Sequence, residues 1–165
     1  MKTTIFSSAL LIVMAVGIGS CTKSSTMPST GNSAGNTVTF QATLTGASET
    51  PPNASMATGS ATFTYDLTTY ILTGTVNFQG ITPTASHIHK GAVGVAGGVV
   101  LPLATTAPIT SPISFTSAPL DSTQRADLLS NMYYVNVHSV TYPLGEIRGQ
   151  LILQTSTTGG GMGGY

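Results

Sequence analysis

The chain has 165 residues, and only 6% of them are charged, against roughly 25% in an ordinary soluble protein, so there is room for about one domain of unusual polarity. Five Lys/Arg balance five Asp/Glu, which excludes nucleic-acid binding, a polybasic membrane patch and an acidic tail, since each needs a surplus of one sign. With 28 Thr, 18 Ser, 19 Gly, 9 Pro and 41% hydrophobic residues, the composition is that of a Thr-rich β protein and not of a helical bundle.

The first predicted element is an export signal over residues 1–20. Lys2 supplies a positive start, and Ile5 to Ile18 is apolar apart from Ser7, Ser8 and Gly17. That stretch is too short to span a hydrocarbon core, which takes about 20 helical residues. It ends in Ile18-Gly19-Ser20-Cys21, which resembles the bacterial lipobox, where an aliphatic residue and two small ones precede a lipid-modified Cys. Cys21 is the only cysteine, so no intramolecular disulfide can form. Several acyl chains on one residue give stable anchoring. The expectation is a protein lipid-anchored through Cys21 to the bacterial cell envelope. Thr22 favours the outer membrane, with the domain periplasmic or surface-facing. Residues 21–37 are rich in Ser, Thr, Gly and Asn and read as a flexible tether; residues 155–165, with five Gly among the last seven, read as a disordered tail.

Residues 38–154 read as strands almost throughout. Val38 to Leu44 alternates strictly, placing Val38, Phe40, Ala42 and Leu44 on one face. Gly46 to Ala57, with Pro51-Pro52, is a loop. Ser60 to Tyr65 and Tyr70 to Phe78 form a hairpin across Asp66-Leu67-Thr68-Thr69, with Phe63, Tyr65, Leu72, Val76 and Phe78 facing the core. Thr84 to His89 is a short strand. Val99 to Leu103 and Ile113 to Phe115 are strands with Pro nearby, which marks edges. Asp121 to Ser130 combines a capping residue with helix formers and predicts a two-turn helix docking through Leu128-Leu129. Two strong strands, Met132 to Val140 and Gly145 to Leu153, close the domain. These elements predict an all-β, antiparallel, immunoglobulin-like or Greek-key β-sandwich of about seven or eight strands with one short helix. The glycine-rich Gly91 to Gly98 is a tight loop. It lacks the Lys-Ser/Thr of a phosphate loop and opens no helix.

The histidines sit in two motifs, His87-Ile88-His89 and Val135-Asn136-Val137-His138. Side chains alternate along a strand, so His87 and His89 share one face, while Asn136 and His138 turn away from the core-facing Val135 and Val137. In the last strand Ile147, Leu151 and Leu153 face inward and leave Glu146, Arg148 and Gln150 opposite. Burying both sets requires paired residue numbers to sum to an even value. A sum near 284 sets His138 beside Glu146 and Asn136 beside Arg148. The candidate polar cluster is therefore His87, His89, Asn136, His138, Glu146 and Arg148. It is one site only if the His87 strand lies beside the closing hairpin.

Ala85-Ser-His-Ile-His-Lys-Gly91 with Gly97-Gly98-Val99-Val100, and Tyr134-Val-Asn-Val-His-Ser139 with Gly145-Glu-Ile-Arg-Gly-Gln-Leu151, resemble a CHRD domain. That family is named for chordin and is widespread in secreted and lipid-anchored bacterial proteins. The resemblance runs from about Val38 to Leu153. It implies an immunoglobulin-like or barrel-like β-sandwich and extracytoplasmic residence, and little about activity. The cysteine-rich modules that bind growth factors in chordin have no counterpart in this sequence, so that function is not carried over.

The function that asks least of these residues is a non-catalytic binding or structural module meeting an envelope protein or glycan, with no cofactor and no nucleic acid. The alternative is a copper- or zinc-binding domain using His87, His89 and His138, since two His at spacing two on a strand plus a third from another strand is a ligand pattern for either metal. The His-x-His strand is similar to that of copper-zinc superoxide dismutase, yet the fourth His and the bridging His with Asp of that enzyme are missing. Arg148 on the same face would repel a cation unless it pairs with Glu146. Hydrolytic chemistry is poorly supplied. Only one acid falls in the cluster, and no Gly-x-Ser-x-Gly elbow is present.

Overall fold

The computed structural model describes residues 36–154. The expected signal, Cys21, the tether up to residue 35 and the glycine-rich tail lie outside the described residues. The elements are β1 (Thr37–Thr45), β2 (Thr58–Asp66), β3 (Leu72–Gln79), β4 (Pro83–Lys90), β5 (Val99–Ala104), β6 (Ile113–Thr116), α1 (Ser122–Leu129), β7 (Tyr133–Ser139), β8 (Ile147–Gln150) and β9 (Ile152–Gln154). Every strand pairing is antiparallel, and the hydrogen-bonded order is β5-β4-β7-β8-β1-β2-β3-β6, with β9 also on β1. The all-β antiparallel architecture with one short helix is as expected. Its strands form one continuous path, and the end strands β5 and β6 approach each other, so strand twist curls the sheet toward a barrel. Those two ends are the strands whose prolines marked them as edges.

Alternation along β1, β2 and β3 fills the interior. Phe40, Leu44, Phe63, Leu72 and Val76 are fully buried, joined from the other side by Ile88, Val135, Val137, Ile147 and Leu151. The β2–β3 turn is closed by Asp66, whose carboxylate accepts from the Thr68 and Thr69 amides. At that end α1 begins with a capping box, Asp121 accepting from the Gln124 amide and Gln124 reaching back to the Asp121 amide. It docks through Leu128 alone, while Leu129 is exposed. Arg125 lies over the Tyr70 ring, and Asp127 pairs with Lys90 at 2.8 Å, so the helix ties the β2–β3 turn to the end of β4.

The last strand departs from its expected form. It divides at Leu151 into β8, which pairs with β7 and, through Arg148 opposite Thr45, with β1, and β9, which pairs with β1. The Leu151 amide still donates to Tyr133 O, and beyond it the chain gives up β7 while staying on β1. The β7–β8 register is Asn136 opposite Arg148 and Val137 opposite Ile147, a sum of 284, even as burial parity requires.

Candidate metal centre

β4 lies directly against β7, His87 opposite Asn136 and His89 opposite Tyr134. The condition for one site is therefore met: β4, β7 and β8 present a continuous row of polar side chains on their outer faces. β4 is bulged against β5 on both sides of the His87–Ile88 pair, a device that re-aims side chains near sites. One ring nitrogen from each of His87, His89 and His138 lies within 4.8 Å of the others. The His87 and His138 rings have centroids 5.0 Å apart, and His89 is 5.6 Å from His87 and 5.7 Å from His138.

The hydrogen bonds assign the tautomers. His89 Nδ1–H donates to Gly97 O at 2.9 Å, and His138 Nδ1–H donates to Pro143 O at 3.1 Å, because a carbonyl only accepts. His138 Nε2 thus carries a lone pair, and it faces His87 Nδ1 at 3.1 Å. His89 Nε2 is buried without a partner. Backbone carbonyls holding Nδ1–H and leaving Nε2 free are the usual outer support of metal-ligating histidines. All three imidazoles are kept neutral. Burial, then the neighbouring His89, lowers His87; burial, then the Arg148 charge, lowers His89 against the Gly97 bond. Burial lowers His138 to about 4, with His87 and His89 adding to it.

The face is polar yet covered, and this corrects the expectation of an outward patch. Every residue of β7 is buried, including Asn136 and His138. The covers are the Gly91–Gly98 loop, the loop after β1 and the β7–β8 turn. Gly97 N–H donates to Tyr134 Oη at 3.0 Å, Arg148 to Ala92 O at 2.9 Å, and Gln150 to Gly91 O at 2.9 Å. Gly97 packs against Lys90 O so closely that a Cβ has no room there, which is the physical need for glycine in this loop.

Arg148, 2% exposed, stacks its guanidinium 3.4 Å over the Tyr134 ring, and Tyr134 in turn stacks on His89, with ring centroids 5.1 Å apart and planes at 13°. Its other partners are Thr50 Oγ1 and Gln150 Oε1, all neutral oxygens. Glu146 stands apart from the imidazoles, accepting from Ser55 Oγ at 2.7 Å; the Arg148–Glu146 pair that would have relieved the repulsion of a cation is not formed among the described residues. The acid that reaches this layer is Glu49, from the loop after β1. Burial raises it to about 7 against the Thr50 amide, Arg148 and Asn136, and its Oε1, like Asn136 Oδ1, has no partner. Strand parity could have found Tyr134, which shares a face with Asn136 and His138. Nothing local marks Glu49, because an irregular loop has no period.

Comparison with curated proteins and with solved structures finds no match. The model of the CHRD domain, an extracellular-type module, matches residues 40–151, more than half of the chain and every residue of the polar layer described above. The chain therefore belongs to the CHRD-domain family.

Proposed function

We propose that this protein is a lipid-anchored, extracytoplasmic CHRD-domain module, non-catalytic, that binds copper or zinc through His87, His89 and His138. The observation that carries this is the convergence of three neutral imidazoles from two adjacent strands, two of them held by backbone carbonyls in the Nδ1–H form. Such a donor set is paired lone electrons waiting for a Lewis acid, and His89 Nε2 has no other buried partner. The hydrogen shared by His87 and His138 is what an ion would replace, with His87 changing tautomer and no net charge leaving the protein at neutral pH.

The test is a titration of the full chain in detergent with Cu(I), Cu(II) and Zn(II), beside His87→Ala/His89→Ala. One ion per chain, retained on gel filtration and lost in the double variant, is the expected result. Binding equal in both proteins would overturn the site and leave a purely structural polar layer. For the anchor, Cys21→Ala should move the protein from the membrane to the soluble fraction on cell fractionation; a variant that stays with the membrane removes the lipid from the proposal.

A further inference from the structure

Resting on that metal site, we infer that its ion is monovalent copper, and that Arg148 is the residue that sets the preference against divalent ions. Three features carry this. The donor set is three imidazoles with no carboxylate or thiolate among the described residues within ligand range, so nothing in it neutralises a dication. Behind one ligand stands a fixed positive charge: Arg148 over Tyr134 over His89 is a continuous stack. And that charge is offset only in part, by Glu49, which faces Arg148 without forming an ion pair and whose neutral form burial favours. The guanidinium bonds only to Thr50, Ala92 and Gln150 oxygens, and among the described residues the one ion pair is Lys90–Asp127.

Repulsion from a fixed cation grows with the charge on the ion, and the cost of taking an ion out of water grows faster still. Around a guanidinium only 2% exposed, solvent screens neither effect fully. A dication therefore meets twice the Coulomb penalty of a monocation and has no anionic ligand to recover it, whereas Cu(I) is satisfied by two or three neutral nitrogens. Zn(II) prefers four ligands, in tetrahedral array, and the described side chains supply three. Arg148 touches no ligand nitrogen, so it acts through the ring it covers and through its field.

The experiment competes the full chain in detergent, without oxygen, against chromogenic chelators for Cu(I) and for Zn(II). Cu(I) counted as site-bound is the part that His87→Ala/His89→Ala loses, which removes any contribution from the Cys21 sulfur. The expected result is one Cu(I) per chain held at least a hundredfold more tightly than Zn(II). Arg148→Gln, which keeps hydrogen bonds but not charge, should narrow that ratio by about tenfold through tighter Zn(II) binding, and Arg148→Lys should keep most of it. A loss of packing alone would weaken both ions together and leave the ratio unmoved. Zn(II) bound as tightly as Cu(I) in the unaltered protein would overturn the cuprous assignment while the metal site stands. An unchanged ratio in Arg148→Gln would overturn the role of Arg148. Failure of both ions to bind would instead remove the metal site itself. If the double variant does not fold, Cys21→Ala, which leaves all three histidines in place, removes the sulfur instead, and its Cu(I)-to-Zn(II) ratio decides the assignment.

Discussion

Burial moves His138 and Glu49 in opposite directions, and the two shifts work against each other in the pH dependence of stability. His138 falls from 6.5 to about 4, while Glu49 rises from 4.5 to about 7. Between about pH 4.5 and 6.5 the unfolded chain binds a proton on His138 that the native protein lacks, which makes stability fall as pH falls. In the same window the native protein binds a proton on Glu49 that the unfolded chain lacks, which makes stability fall as pH rises. His87 and His89, also lowered, add to the His138 side, and Arg148 is the charge that faces both His89 and Glu49. In chelator-treated protein, Glu49→Gln should steepen the rise of unfolding free energy with pH across this window by close to one proton, about 1.4 kcal/mol per pH unit. His138→Asn should flatten it by a similar amount. Urea denaturation at half-unit pH steps reads both slopes, and parallel curves for the three proteins would contradict the shifts.

At the scale of elements, local rules and tertiary demands separate cleanly. The Asp121 capping box satisfies its own amides within one turn, so Asp121→Ala should cost about 1 kcal/mol, read as a lower denaturation midpoint, with metal affinity unchanged. Gly145 is different. Its φ is +137°, and a Cβ there would collide with the Asn136 side chain and meet Glu49 Oε1 at 2.6 Å. Gly145→Ala should destabilise by roughly 1–3 kcal/mol and also weaken metal binding, since the same turn carries the Pro143 carbonyl that holds His138. If copper or zinc affinity survives this change intact, the turn does not support the site. The contrast shows what was legible. The helix start and the β7–β8 register follow from capping chemistry and from burial parity, both of which act between near neighbours. The split at Leu151 does not, because it records the loss of β7 as a strand partner and not a change in local pattern.

Across the whole molecule the two faces of the curled sheet have divided tasks. Leu72, fully buried on β3, belongs to the apolar interior and sits on a strand paired with β2 and β6, not with β4, β7 or β8. Leu72→Ala should therefore cost roughly 2–5 kcal/mol and leave metal affinity unchanged in protein that remains folded; a parallel loss of both would mean that the core and the site are mechanically coupled. Composition, two-residue alternation and turn chemistry were enough to determine an all-β domain, its core-facing residues, the helix and the partition of His87, His89, Asn136, His138 and Arg148 away from the interior. These depend on which side of a strand a residue faces, a property that a period of two writes directly into the chain. Only the tertiary structure decided that β4 lies beside β7, that three loops close over the polar face, that Glu146 turns to Ser55 while Glu49 takes the acid's place, and that Arg148 stacks behind His89 without an ion pair. Those outcomes depend on where irregular segments come to rest against distant strands, and that is set by the packing of the whole fold, which no local pattern encodes.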